Sequence, residues 1–236
     1  MRFYLSVSWF PIDAKRAETQ ERALDFHVAG AKNEWNDTLR EGPAMNRETV
    51  LRQAILPSDS LMGKIGLVAA GTFLVAMGAQ VEVPMLPVPM SLQTLAISVI
   101  GLTYGARLAA ITLMVYLAQG AAGMPVFSGG DAGAAHLFGP TAGYLWGFVG
   151  MAWMTGWMAE NGFGRGGLRM FLAAFIPATL LFVPGAAWIW AATPLDLTGA
   201  IQAGVLPFLV GDVVKSTLAA VALAGGWAAF GGRKTR

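Results

Sequence analysis

The sequence contains no cysteine, which excludes thiol catalysis, disulfide bonds and cysteine-built metal sites. It has only two histidines, His27 and His136, far apart, so a histidine-based zinc site is not expected either. Charge is scarce: Asp, Glu, Lys and Arg make up 13% of the 236 residues, and the formal net charge is +2. No nucleotide-hydrolysing motif occurs, because GDVVKS at 211–216 lacks both the Gly-Lys step and the preceding strand of a phosphate-binding loop. Neither a cofactor nor a nucleic-acid partner is indicated.

What is abundant is apolar surface. Apolar residues make up 55% of the chain, with 30 Gly and 8 Trp, and the mean hydropathy is +0.55. That composition is far from a soluble domain and reads as an all-α protein crossing the lipid bilayer several times. Apolar segments at 61–79, 91–104, 106–119, 141–159, 169–191 and 199–225 predict six helices. The second and third are short and joined through Gly105, as in a helical hairpin. Pro177 and Pro184 should kink the fifth, and Pro207 with Gly211 the sixth.

Residues 1–44 differ from the rest. They hold 13 of the charged residues, and 13–42 has no continuous apolar core, so neither a span nor a signal peptide is expected there. MNRETVLRQAILPS at 45–58 offers an alternative start at Met45. We therefore expect 1–44 to be a disordered or mis-assigned extension, and 45–236 to be a single membrane domain.

The distribution of Lys and Arg predicts orientation. With six spans and a cytoplasmic N-terminus, Arg47, Arg52, Lys64, Arg107, Arg165, Arg169, Arg233, Lys234 and Arg236 all fall inside. The opposite side carries Glu82, Asp131, His136 and Asp196 but neither Lys nor Arg. Both termini are then cytoplasmic. The two unusual connections, Pro-rich QVEVPMLPVPM at 80–90 and Gly-rich QGAAGMPVFSGGDAGAAHLFGP at 119–140, lie on the outer side, where ligand recognition is expected.

One run breaks the apolar rule: VLPFLVGDVVKSTLAAVALAGG at 205–226 carries Asp212 and Lys215 three residues apart, on one helix face. Each costs about 2.5–3.5 kcal/mol at the centre of a membrane helix, so the pair requires a reason. A structural ion pair between helices is one. A ligand site is the other: a carboxylate beside an ammonium suits a neutral group with both donors and an acceptor, such as a cyclic urea. Gln93 adds a donor and an acceptor near the outer end of the second helix, or is a solvent-facing or loop-capping glutamine. Tyr144 lines a pocket or joins an interfacial belt, and for Trp146 the belt is preferred. Gly139, Gly143 and Gly147 are spaced for close helix packing. Pro140 falls near the first position of the fourth helix, whose free N–H groups around Gly139 to Thr141 could hold a carboxylate.

The stretches VPMSLQTL (88–95), YGARLAA (104–110), GMPVFSGG (123–130), GPTAGYLWGF (139–148) and LPFLVGDVVK (206–215) occur in the order and spacing of the BioY family, which the chain resembles from about residue 60 to 226. That family is the biotin-specific substrate-binding (S) component of energy-coupling-factor (ECF) vitamin transporters. Val210 stands where a proline is common in the last motif, and the 44-residue extension is not a family feature. The resemblance implies six helices, an outward-facing pocket roofed by loops, and high-affinity biotin uptake across a bacterial cytoplasmic membrane, with Asp212 and Lys215 reading the biotin head. The substrate-binding set becomes Asp212, Lys215, Gln93, Tyr144, Gly139, Thr141 and Phe127. The implied partners are a transmembrane coupling protein and two ATPases, docking on the first helix along Gly63, Gly66 and Ala70, a stripe that would serve equally for packing within the monomer. The alternatives are an S component for another vitamin and an intramembrane enzyme using Asp212 as base and Lys215 as acid or Schiff-base partner.

Overall fold

The structure, a computed structural model, describes the backbone of residues 60–231 and the side chains of 60–226. The extension at 1–44, the start at Met45 and the basic C-terminal residues 233–236 lie outside the described residues. The first helix, α1 (Leu61–Gln80), starts at Ser60, whose hydroxyl accepts from the Gly63 N–H at 3.1 Å. A miniature hairpin follows, β1 (Glu82–Val83) antiparallel to β2 (Met90–Ser91), with Glu82 opposite Ser91 and the prolines between them. Next come α2 (Gln93–Tyr104) and α3 (Ala106–Ala121), hinged at Gly105 with φ +80°, the turn the sequence predicts.

Two 3₁₀ turns, Ser128–Gly130 and Ala134–Phe138, occupy the Gly-rich connection before α4 (Ala142–Met158), which runs into a π turn at Ala159–Phe163. The fifth apolar segment is two helices, α5 (Gly167–Leu180) and α6 (Phe182–Ala192), interrupted at Leu181. Proline supplies the cause: Pro184 has no N–H to return to the Leu180 carbonyl, and its ring crowds that turn. The sixth is likewise split into α7 (Leu197–Gly204) and α8 (Phe208–Gly231). Here Pro207 makes the break while Gly211 stays helical, so only one of the two expected breakers acts. The six predicted helical stretches are thus all helical, and what the sequence does not anticipate is the small hairpin, the 3₁₀ turns and the π turn.

Three of these stretches are long and apolar enough to cross a membrane: Leu61–Gln80, Gly167–Ala192 and Leu197–Gly226. Their outward faces are apolar, with Phe73, Trp190 and Val210 all more than half exposed, as expected where the solvent is lipid. Glycine brings the helices together. A Cβ on Gly143 would lie 2.4 Å from the Pro184 oxygen, and one on Gly147 2.5 Å from Leu181 Cδ1, so α4 meets the α5–α6 break at these two glycines. Gly139, the third of that series, does not share this packing; it lies outside the helix. At the other end of α4, a Cβ on Gly156 would lie 2.4 Å from the Ala106 nitrogen, and Glu160 Oε1 accepts from that same N–H at 3.1 Å. The larger core cluster forms around Val75, Ile97, Leu113, Tyr116, Leu145 and Ile189, and α2, α3, α4 and α6 all contribute to it.

Candidate functional site

The helices and the two loops enclose a cavity of about 400 Å³, within the range of small-molecule sites. Its walls are largely apolar, with Val88, Leu145, Phe148, Leu181, Phe182 and Phe208 prominent. The Pro-rich hairpin tip, Pro84 to Pro89, and the Gly-rich segment containing Ser128, Gly129, Asp131 and His136 complete it. Both unusual loops therefore serve the cavity, whereas the basic 160–169 connection contributes no lining residue.

Polar groups enter from α8 and α2. Asp212 is 3% exposed and Lys215 9% exposed, and both face the cavity. They do not pair directly. The Asp212 carboxylate accepts from the Thr179 hydroxyl of α5 at 2.9 Å, while the Lys215 ammonium donates to the main-chain oxygen of Ser91 at 3.1 Å. Each charge is thus anchored to a different element, and each keeps capacity: the carboxylate has further lone pairs, the ammonium two further protons. Ser91 is the hub, because its hydroxyl also donates to Gln93 Oε1 at 2.9 Å.

Gln93, 5% exposed, donates through Nε2 to the Tyr116 hydroxyl at 2.8 Å, and Tyr116 in turn donates to the Val126 oxygen at 2.8 Å. Its oxygen is taken by Ser91 and, at 3.4 Å, by Ser128. One amide proton of Gln93 remains. Tyr144 lines the cavity with its ring and donates its hydroxyl to the Gly204 oxygen, in space that Gly185 and Gly204 leave open. Trp146 lies outside the cavity, half exposed, with Nε1 donating to the Leu137 oxygen at 3.1 Å.

Gly139 and Thr141 line the cavity, with Pro140 between them. Pro140 lies near the helix start as expected, two residues before it: α4 begins at Ala142, with Thr141 as its cap. Two N–H groups of this helix start are already used, Ala142 to the Gly139 oxygen at 3.0 Å and Tyr144 to the Thr141 oxygen at 3.0 Å. The expected cradle of free amides is therefore narrowed to the N–H groups of Thr141 and Gly143, which make no backbone hydrogen bond among the described residues. Phe127 departs from expectation too. It is fully buried, contributes nothing to the cavity wall, and packs edge-on to Tyr116 with ring centroids 5.8 Å apart, where any Cβ on Gly120 would strike it. The His136 ring stacks on it, with centroids 4.9 Å apart.

The cavity also holds residues that sequence reasoning did not single out as ligands. His136 is the foremost, with Ser91, Thr94 and Glu82 beside it in the lining. Among the described residues, Glu82 Oε2, Thr94 Oγ1 and Thr155 Oγ1 are buried without a hydrogen-bond partner, and the first two belong to lining residues. Position beside Gln93 was the available signal for Thr94, and position in an outward loop for Glu82 and His136. Nothing in the sequence marked Thr179.

Fold and site together define a helical membrane protein with an apolar small-molecule cavity and a buried acid–base pair in its wall. The sequence model described as the BioY family matches residues 48–232, and the chain belongs to that family. A protein of Pyrococcus horikoshii named probable biotin transporter BioY is 35% identical over 158 residues, covering 67% of this chain and 92% of its own length. The biotin transporter BioY of Thermotoga maritima is 31% identical, covering 66% and 91%, and that of Rhizobium etli is 36% identical, covering 58% and 76%. Among solved structures, the S-component for biotin from an ECF-type ABC transporter superposes with a TM-score of 0.62 at 21% identity, covering 71% of this chain and 93% of that one.

Proposed function

We propose that this chain is the biotin-binding S component of an ECF-type transporter and acts in biotin uptake, not as an enzyme. The observation that carries the reading is the buried pair Asp212 and Lys215, each tied back to a different element and each left with capacity toward one apolar cavity. Biotin's ureido ring has two N–H donors and one carbonyl acceptor. Asp212 accepts from an N–H, Lys215 donates to the oxygen, and the spare Gln93 proton reinforces the acceptor side. Both charges stay compensated as water leaves, and the apolar walls receive the fused rings and the alkyl chain. The names of the relatives support this ligand, and nothing in the cavity favours another vitamin. They also count against the intramembrane enzyme, since all those described above are named transporters.

The proposed setting is a bacterial cytoplasmic membrane, crossed six times, with α5–α6 and α7–α8 each forming one broken span. The one-sided Lys and Arg distribution supports cytoplasmic termini and places the cavity with its two loops on the extracytoplasmic side, where it captures biotin at high affinity. The proposed partners are a transmembrane coupling protein and two ATPases. Gly66 and Ala70 of the α1 stripe are exposed, and a Cβ on Gly66 would meet nothing within 4 Å, which supports a docking role over packing within the monomer. Residues 45–236 form the working domain in this account.

Titration calorimetry of the detergent-purified protein tests the ligand. One biotin bound per chain, released unmodified, is the expected result; a monodisperse protein that binds no biotin overturns it.

A further inference from the structure

The ligand proposed above carries a carboxylate at the end of its chain, which a donor or a cation beside it would recognise. Among the cavity-lining residues only Lys215 and His136 can carry positive charge. Lys215 is committed to Ser91 and, in the reading above, to the ureido oxygen. At the start of α4 the Ala142, Tyr144 and Leu145 N–H groups are taken by the Gly139 and Thr141 oxygens. That leaves His136.

The imidazole is held in a definite attitude. Its ring lies nearly parallel to that of Phe127, with 16° between the planes, and Phe127 is itself fully buried. One edge presents Nδ1 to Asp131 Oδ2 at 3.5 Å, and the other presents Nε2 to Thr141 Oγ1 at 3.5 Å. Both distances are at the long limit of a hydrogen bond, so neither contact exhausts its groups. A carboxylate facing Nδ1 favours the tautomer with its proton there, so in the neutral ring Nε2 is a lone pair. Protonation makes Nε2 a donor beside the Thr141 hydroxyl, which is a second donor. We propose that His136 and Thr141 together read the carboxylate end of the ligand, and that carboxylate recognition strengthens as His136 gains its proton. This rests on the biotin reading.

The other titratable groups around the cavity are Asp131 on the same loop, Glu82 of β1, Tyr144 of α4, and Asp212 and Lys215 of α8. A ratio of affinities cancels the groups that meet the shared ring system, Asp212, Lys215 and Tyr144, and the His136→Gln comparison separates His136 from Asp131 and Glu82, which lie on its side of the cavity.

The experiment is calorimetric titration of the full chain with biotin and with biotinamide between about pH 8 and pH 5.5, the span over which imidazoles take up protons. The biotin-to-biotinamide affinity ratio should rise about tenfold toward the lower pH, as befits one charge-assisted bond. His136→Gln, which keeps a donor but cannot become charged, should give a low and flat ratio. A flat ratio in the native protein overturns the inference while leaving the biotin reading intact, and so does a His136→Gln variant whose ratio rises as steeply as the native one. Native protein that binds neither compound overturns both.

Discussion

The cavity has two polar regions of different construction. In the first, Asp212, Lys215 and Gln93 stand on helices, buried and anchored by bonds of 2.8 to 3.1 Å to Thr179, Ser91 and Tyr116. In the second, His136 and Asp131 come from the Gly-rich loop and meet each other at 3.5 Å, with Asp131 65% exposed. Under the proposed function, the contrast divides labour within one pocket. A neutral ring with fixed donors and acceptors needs partners held rigidly in a dry wall. A flexible charged tail near the rim needs only a charge nearby, and long solvated contacts suffice for that.

Removing one member of the helix-borne pair should have the largest effect. Asp212→Ala leaves the Lys215 charge buried and uncompensated, at a cost of about 3–5 kcal/mol, or two to four decades in biotin affinity. Asp212→Asn, which nearly keeps the shape and still accepts through its amide oxygen, should bind weakly but measurably. Calorimetry on monodisperse variants reads both. Mutants that fail to insert, yet whose folded fraction binds biotin normally, would make the pair structural instead.

Next in size is the anchor behind the pair. Thr179→Val removes the hydroxyl that orients Asp212 and touches no ligand in this account. A bond to a charged group is worth about 1.5–3 kcal/mol, so biotin affinity should fall by roughly ten- to a hundredfold. An unchanged affinity would mean that helix α8 alone fixes the carboxylate, and the contrast with the loop region would lose its basis.

These residues were unequally legible in the sequence. The six helical stretches could be read because apolar runs punctuated by glycine and proline are a one-dimensional signal, and a membrane enforces it. Asp212 and Lys215 stood out for the same reason, as charges inside such a run. Gln93 and Tyr144 were legible only as polar or amphipathic residues at helix starts. Thr179 could not be singled out, because a threonine in an apolar helix commonly bonds its own carbonyl, and this one also does so, to Phe175 at 2.9 Å. Phe127 and His136 exchanged places. A motif places an aromatic in a loop but does not say which of two stacked rings faces the cavity; the 3₁₀ turn at Ala134–Phe138 decides that.

A smaller effect tests the seating of Tyr144. A Cβ on Gly185 would lie 2.3 Å from its ring, so Gly185→Ala should push the ring toward the cavity, lowering both thermal stability and biotin affinity. Overpacking costs about 1–3 kcal/mol. Loss of stability with full affinity would show that Tyr144 yields away from the ligand. The smallest effect is expected at the other end of the chain. Protein beginning at Met45 should support biotin uptake in a biotin-requiring strain to within about twofold of the full chain, since residues 1–44 contain no segment able to pack in the membrane. Lost uptake at normal expression would assign those residues a role.

The central claim is that Lys215 donates to the ureido oxygen and not to the carboxylate. Isotope-edited infrared spectroscopy of biotin labelled with ¹³C at the ureido carbonyl, bound at saturation, addresses it directly. The account predicts a carbonyl stretch displaced to lower frequency by the ammonium in the native protein and restored toward the unbound value in Lys215→Ala, with the carboxylate bands unmoved by that substitution. A carbonyl stretch identical in the two proteins, with the carboxylate bands shifting instead, would contradict it.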